Sequence, residues 1–444
     1  MKYQQGQKIV DAIYDKERSN PYLDAMPDLL PREQFLQMVQ SFPALPHNLP
    51  ELTPEQRRME LQAVQGIFIP LDYSYVLYDA LYRACRSSYQ CKSIIDEVRA
   101  TNSIFAGNQV ASPFSTAPAS GAILGVPGVG KTNCVRRCLA TMPQVITHKE
   151  WRGSKFLAKQ VLYLLIECPA DCSIKTLGYS IIAAINDAAG IDIKPSTSAN
   201  NSTIVTQIKI LCLTYHVGLI VVDEIQNVVQ TSKKTNQTKA LLRFLLELTN
   251  DTATAVMFVG TPQAEELFLR QDHLKRRTRG LRLLPFKPDG TYLRFLTAIW
   301  KYQYTYQQAE LTGTISNKLY DLSGGIPAYI IKLFTEAQAY CLLNGVGRIN
   351  ENVLQHVADI LAIKVPRHYS GGTYISDFAP MCDNAAPEPQ ELDEVSQDVI
   401  PRLYANKRGR KTVQRDDGDL IVMARQSLTS QALCKAGLVE VWDD

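Results

Sequence analysis

The sequence predicts an α/β fold, a three-layer αβα arrangement in which helices cover both faces of a parallel sheet, followed by a small all-helical domain. Three observations carry that reading. Short apolar runs alternate with longer periodic segments between residues 105 and 286. The first run leads into "GVPGVGKT" (Gly125–Thr132), a complete G-x-x-x-x-G-K-[ST] phosphate loop set between a strand and a helix. After residue 289 the strand signal stops and only helical periods remain.

The strands are read in "AILGV", "QVITH", "QVLYLLIEC", "GLIVVDE", "AVMFVGT" and "RGLRLLPF", each bounded by turn residues or a periodic segment. The helices between them are "KTNCVRRCLATM", "SIKTLGYSIIAAINDAAG", "TIVTQIKILCLTYH" and "TKALLRFLLELTND". In such sheets ligands sit at the carboxyl ends of the strands. This P-loop domain is assigned residues 105–288, and a helical lid residues 289–365, from "TYLRFLTAIWKYQ", "SNKLYDLSGG", "PAYIIKLFTEAQAYCLLNG" and "NENVLQHVADILAIK".

Residues 1–104 read as an N-terminal extension with helices and partner-binding segments. "NPYLDAMPDLLP" and "SFPALPHNLPELTP" are proline-rich with interspersed apolar residues, which suits extended segments lying on another surface. Thr53, Pro54 and Gln56 form a helix-start signal, and "SYVLYDALYRACRSSYQ" is a second helix whose stripe suits core packing. Residues 366–444 change from acidic and proline-containing to basic ("NKRGRK") and read as a partly disordered, partner-binding tail or a solubilising one.

Composition narrows the classes. The formal net charge of +3 gives no global attraction to nucleic acid, so any basic surface is local. The ten cysteines are scattered, and Cys134/Cys138 and Cys168/Cys172 lack the spacing and histidines of a zinc site. Small buried thiols in a reducing compartment are the better reading. No signal peptide opens the sequence and no run reaches the ~20 apolar residues of a membrane span. A soluble, cytoplasmic protein without a membrane partner is expected.

The phosphate loop supplies the first half of a nucleotide site for ATP and Mg²⁺. Gly125, Val126, Pro127, Gly128, Val129 and Gly130 form the phosphate loop, whose glycines let backbone N–H groups turn inward around a phosphate, and Lys131, Thr132 and Asn133 open the helix whose N-terminus adds favourable charge. Lys131 is expected to reach the β- and γ-phosphates and Thr132 to bind Mg²⁺ through its hydroxyl. "GLIVVDE" supplies the second half. Four apolar residues bury a strand, and Asp223 at its end is expected to hold Mg²⁺ through water, with Glu224 polarising the attacking water. Thr261 ends the next strand, either as a γ-phosphate sensor or as a cap before Pro262. Arg276, Arg277 and Arg279 precede the last strand, where one of them, Arg277 first, could complete a neighbouring subunit's site, or simply solvate a helix end.

Together these residues resemble the AAA+ ATPases: Walker A at Gly125–Thr132, Walker B at Asp223–Glu224, a sensor at Thr261, an arginine-finger region at Arg276–Arg279, and a helical lid. Within AAA+ the chain resembles the TnsC/TniB family of transposon target-selection ATPases. "NPYLDAMP", "VGTP" followed by "RRTRGLRLLPF", and the lid's "LSGGIPAYIIKLF" carry that likeness over roughly residues 20–365. The resemblance implies a bacterial, regulatory ATPase that assembles on duplex DNA as a ring, hexamer or heptamer, or as a helical filament, and slow hydrolysis is expected from a departure at Ala328. The resemblance also implies a bridge between a target selector of the TnsD/TniQ type and a TnsB-like transposase, with a TnsA-like endonuclease as a further partner. One position departs from the family: Ala328 stands where the lid often carries an arginine sensor, and Lys332 one turn later could face the same way.

In that context "THKEWRGSKFLAKQ", read as a loop between two strands, is a candidate DNA contact. It carries Lys149, Arg152, Lys155 and Lys159 around Trp151 and Gly153, and cations on a loop can track phosphates without reading bases. An ordinary solvated hairpin is the other reading. Lys233 and Lys234 form a second candidate. The function expected is an ATP-dependent DNA-binding regulator of transposition. A replication-initiator or helicase-loader ATPase shares the same core, and a signalling NTPase switch that never meets DNA is the third reading.

Overall fold

The computed structural model describes residues 2–4, 6–15, 20–106, 114, 116–171, 173–195, 199–230, 235–265, 267 and 278–363. Lys233, Lys234, Arg276, Arg277 and the tail from residue 366 lie outside the described residues, and Arg279 is described only as part of a strand.

Five parallel strands make the main sheet. They are β2 (Ser120–Gly125), β5 (Tyr163–Glu167), β6 (Leu219–Asp223), β7 (Ala255–Gly260) and β8 (Thr278–Leu283), in the spatial order β5-β6-β7-β2-β8. β2 therefore runs in the interior between β7 and β8, and all six of its residues are buried. Residues alternate across the pleat. Ile123, Val221, Met257 and Val259 join one core cluster, whereas Ala122, Leu124, Ile220, Val222, Val256 and Phe258 join the other. The second face is covered by α7 (Ile174–Ala189), α8 (Asn201–Thr214) and α10 (Thr235–Thr252).

The first face is covered by α6 (Lys131–Leu139) and by α4 (Asp72–Cys91), a helix from the segment read as an extension. Leu77, Leu81, Cys85 and Tyr89 recur at helical spacing on α4 and are all buried. The proline-rich segments settle on the chain's own domains. Asn20 caps α1 (Pro21–Ala25), accepting from the Tyr22 N–H at 2.9 Å, and its Nδ2 donates to the carbonyls of Tyr89 (2.8 Å) and Lys92 (2.6 Å). Tyr22 is fully buried, its hydroxyl donating to Glu97 Oε2 at 2.9 Å. Thr53 and Gln56 close a capping box on α3 (Pro54–Glu60), followed by a short 3-10 turn. From there Leu61, Val64 and Ile67 enter the core of the helical domain.

That domain comprises α11 (Gly290–Trp300), α12 (Gly313–Ser323), α13 (Pro327–Asn344) and α14 (Glu351–Leu361), packed around Leu296, Leu319, Leu333, Phe334 and Leu354. Among the described residues no helix is long and apolar enough to cross a membrane. The seven cysteines described are free thiols, six of them buried.

Three sequence readings are corrected. "THKEWRGSKFLAKQ" is not a loop but most of a β-hairpin, β3 (Val145–Trp151) and β4 (Ser154–Val161), turned at Arg152-Gly153 with φ of +51° and +75°. Positive φ at both central residues is the primed turn that matches strand twist. "QVITH" is therefore outside the main sheet, in a three-stranded one with β1 (Ile9–Asp11) alongside β3. "QVLYLLIEC" is two strands, because the chain passes from one sheet to the other at Leu162, whose N–H donates to Gln144 while its carbonyl accepts from Leu219.

Candidate nucleotide site

The site lies where β2, β6 and β7 end side by side. Gly125 closes β2 with no room for a side chain, since a Cβ would stand 2.7 Å from the Leu283 carbonyl oxygen. Gly128 and Gly130 take φ of +82° and +93°, a region open to glycine at little cost. Gly130 is the N-cap of α6, so the unpaired N–H groups of the first helical turn face the loop. Val126 and Val129 are buried and anchor the loop, Pro127 is exposed at its tip, and Asn133 points outward, accepting from Arg137 Nε at 3.4 Å.

Lys131 is buried, and its Nζ donates to the carbonyls of Gly125 (2.7 Å) and Val126 (3.1 Å). Burial holds the ammonium below the usual lysine range, while the carboxylates of Glu224 and Asp223 pull the other way. The Thr132 hydroxyl donates to Asp223 Oδ2 at 2.6 Å, joining residues 91 positions apart. Hard oxygen donors of this kind suit Mg²⁺, which commonly takes one or two protein oxygens and leaves the rest of its shell to phosphate and water. Among the described residues no cluster of three or more His, Cys, Asp or Glu could hold a metal alone.

Beyond Asp223 the chain turns sharply. Glu224 has φ +56°, a left-handed conformation that costs a non-glycine residue roughly 1 kcal/mol or more. Its N–H donates to Asp223 Oδ1 at 2.8 Å. Its carboxylate accepts from Gln226 Nε2, and Gln226 Oε1 accepts from the main-chain N–H of Thr261 at 3.0 Å. Thr261 is thus tied in by its backbone, and its buried Oγ1 has no partner among the described residues. Gln226 was not singled out in the sequence, although it stands two residues after the acidic pair. The signal was there in "DEIQN", a polar side chain just past a buried strand end.

The helical domain meets the loop directly. The Ala328 N–H donates to the Gly128 carbonyl at 3.1 Å, and Phe286 and Gly325 bond beneath it at 2.8 Å. Ala328 and Lys332 are both exposed on α13, one turn apart, and no partner of Lys332 is found among the described residues.

The four basic residues of the hairpin separate. Arg152 is exposed at the turn, its guanidinium 4.8 Å from the ring of buried Trp151. Lys149 is exposed and pairs with Asp11 at 2.7 Å. Lys155 stands opposite Glu150 across the ladder. Lys159 donates to the Ala189 carbonyl at 2.6 Å, so its charge serves the C-terminal end of α7.

Strand order, phosphate loop and paired acids define an AAA+ P-loop fold. Residues 116–268 match the AAA domain family. No curated protein matches the chain in sequence. Among solved structures, the chain is similar to the Aeropyrum pernix Orc1 protein in complex with DNA, at 14% identity and TM-score 0.37, over 60% of this chain and 64% of that one. It is also similar to the Thermotoga maritima RuvB Holliday junction branch migration motor, at 13% identity and TM-score 0.32, over 59% and 66%. A katanin structure concerned with self-assembly is similar at 12% identity and TM-score 0.37, over 72% and 92%. At these values the likeness adds nothing about substrate or partner.

Proposed function

We propose that this protein is an ATPase of the AAA+ class that assembles on duplex DNA and regulates transposition, linking a target selector of the TnsD/TniQ type to a TnsB-like transposase. The observation that carries the nucleotide reading is the 2.6 Å bond from Thr132 to Asp223, which unites the two phosphate-site motifs with Glu224 beside them. ATP binds with its phosphates against the loop N–H groups and Lys131, and Thr132 and Asp223 hold Mg²⁺. Bound between these two residues, Mg²⁺ would supply charge neutralisation at the phosphates. Glu224 orients the attacking water and takes up its proton as the new O–P bond to the γ-phosphorus forms and the bond from that phosphorus to the β,γ-bridging oxygen breaks, with ADP as the leaving group.

The DNA reading is supported by the exposed Arg152 turn and by the TnsC/TniB likeness of the sequence. Arg152 occupies a left-handed position that asparagine or glycine fills with less strain, and a strained polar tip is a functional signal. Electron microscopy of the protein with duplex DNA and a non-hydrolysable ATP analogue tests the assembly: rings or filaments on DNA are expected, and monomers alone overturn it. Reconstitution with a TniQ-like protein and a transposase tests the pathway. A helicase captured in place of a transposase overturns the transposition role.

A further inference from the structure

We infer that Gln226 is a positioning residue of the nucleotide site: one side-chain amide ties the Glu224 carboxylate to the main chain of Thr261 and so fixes where that carboxylate stands. The inference rests on the ATPase reading above.

The amide has only one workable orientation. The Thr261 N–H can only donate, so the oxygen end of Gln226 must face β7. The NH₂ end is then left toward Glu224, where an ionised carboxylate can only accept. Reversing the amide would set donor against donor and acceptor against acceptor. Gln226 is buried, so neither mismatch could be relieved freely by water.

The surroundings are shaped to this contact. A Cβ on Gly260 would come within 2.7 Å of Gln226 Oε1 and 2.8 Å of Ile225 Cγ2, so the last residue of β7 must be small for the amide to lie there. Asn227 Nδ2 donates to the Cys168 carbonyl at 2.8 Å, just past the end of β5. The Ile225 N–H donates to the Val259 carbonyl at 3.0 Å. The turn from Glu224 to Asn227 is thereby fixed to the strands on both sides of β6. A glutamate side chain has three rotatable bonds. A carboxylate that must aim a water at phosphorus gains from losing that freedom before the substrate arrives.

Two substitutions separate the two hydrogen bonds. Gln226→Glu keeps an acceptor for the Thr261 N–H but sets a carboxylate against Glu224. Gln226→Ala removes both bonds. Steady-state ATP hydrolysis, binding of a fluorescent ATP analogue, and hydrogen exchange at the Thr261 amide of the nucleotide-free protein are measured for each. Expected is a fall in kcat of about 10- to 100-fold in both variants, with KM and analogue affinity within about twofold of wild type. The Thr261 amide exchanges faster in Gln226→Ala and stays protected in Gln226→Glu. A wild-type kcat in Gln226→Glu, or an unprotected Thr261 amide in the wild type, overturns the positioning role and leaves the ATPase reading standing. A wild type that binds ATP without turning it over, or a Glu224→Gln variant as fast as wild type, overturns the ATPase reading and the role of Gln226 with it.

Discussion

The main-chain N–H of Ala328 bonds to the carbonyl of Gly128, so the first turn of α13 rests on the phosphate loop. A Cβ at Gly128 would meet Ile326 Cγ2 at 3.0 Å and Ala328 Cβ at 3.1 Å, whereas one at Gly130 would meet nothing within 4 Å. Both glycines have positive φ, so alanine at either is strained by roughly 1–2 kcal/mol. Gly128→Ala carries the added crowding against the first turn of α13. Urea unfolding of the two variants is expected to place Gly128→Ala below Gly130→Ala in stability. Equal losses would mean that the turn of α13 yields at no cost.

His148 gives the fold a pH dependence. Its Nε2 faces Gln160 Oε1 at 3.0 Å, and Gln160 Nε2 donates to the Tyr22 carbonyl, which fixes the amide and makes Nε2 the donor. Nδ1 is then left to accept from the Tyr14 hydroxyl at 2.6 Å. Burial first, with nearby His216 adding to it, pushes the imidazole down to about 3, against partial opposition from Gln160. Unfolded, the ring takes up its proton near pH 6.5. The stability it contributes is therefore complete above pH 6.5 and falls as pH drops toward 3, by at most about 1.4 kcal/mol per pH unit. His148→Gln removes that dependence. The stability gap between wild type and variant should shrink by about 2 kcal/mol between pH 6.5 and pH 5, measured by urea midpoints. A constant gap would show that His148 does not gain a proton on unfolding.

On the hairpin, the structure ranks the cations. Lys149→Ala with Arg152→Ala should weaken DNA binding in the presence of ATP and lower the slope of log affinity against log salt by about 2, one phosphate contact for each charge. Lys159→Ala should leave that slope alone and cost stability instead, because its ammonium is spent on the end of α7. Fluorescence anisotropy on duplex DNA at several salt concentrations checks both. An unchanged slope in the double variant would remove the hairpin from the DNA surface.

The phosphate loop and the acidic pair were legible because each is a local pattern dictated by backbone geometry. Glycines mark Gly128 and Gly130 where φ is positive, and four apolar residues announce the buried strand that delivers Asp223. What escaped depends on distant partners. The stripe on α4 shows a buried face but not that the face lies on the sheet. Trp151 and Phe156 are buried among lysines in the hairpin, so its strands read as a basic loop. The apolar run through Val161 and Leu162 hides the crossing between two sheets. The role of Gln226 depends on Thr261, 35 residues away.

Lys332 is the remaining candidate in the helical domain for a contact with nucleotide. Ala328 touches the loop through its backbone and presents only a methyl group, while Lys332 follows four residues later on the same exposed side of α13. A lysine four residues along a helix can bring its ammonium back over the preceding turn, because side chains lean toward the helix N-terminus. A cation there would meet the terminal phosphate of ATP and have less to hold in ADP. Lys332→Ala is expected to weaken ATP about 10-fold and ADP by no more than about twofold, equivalent to roughly 1.4 kcal/mol on the γ-phosphate. Ala328→Arg in that background should restore ATP affinity from one turn closer, with a planar guanidinium suited to phosphate. Calorimetric titration of both nucleotides into the three proteins decides it. Equal losses for ATP and ADP in Lys332→Ala would place Lys332 away from the γ-phosphate, and failure of Ala328→Arg to restore binding would mean that the turn beside Gly128 holds the arginine out of reach.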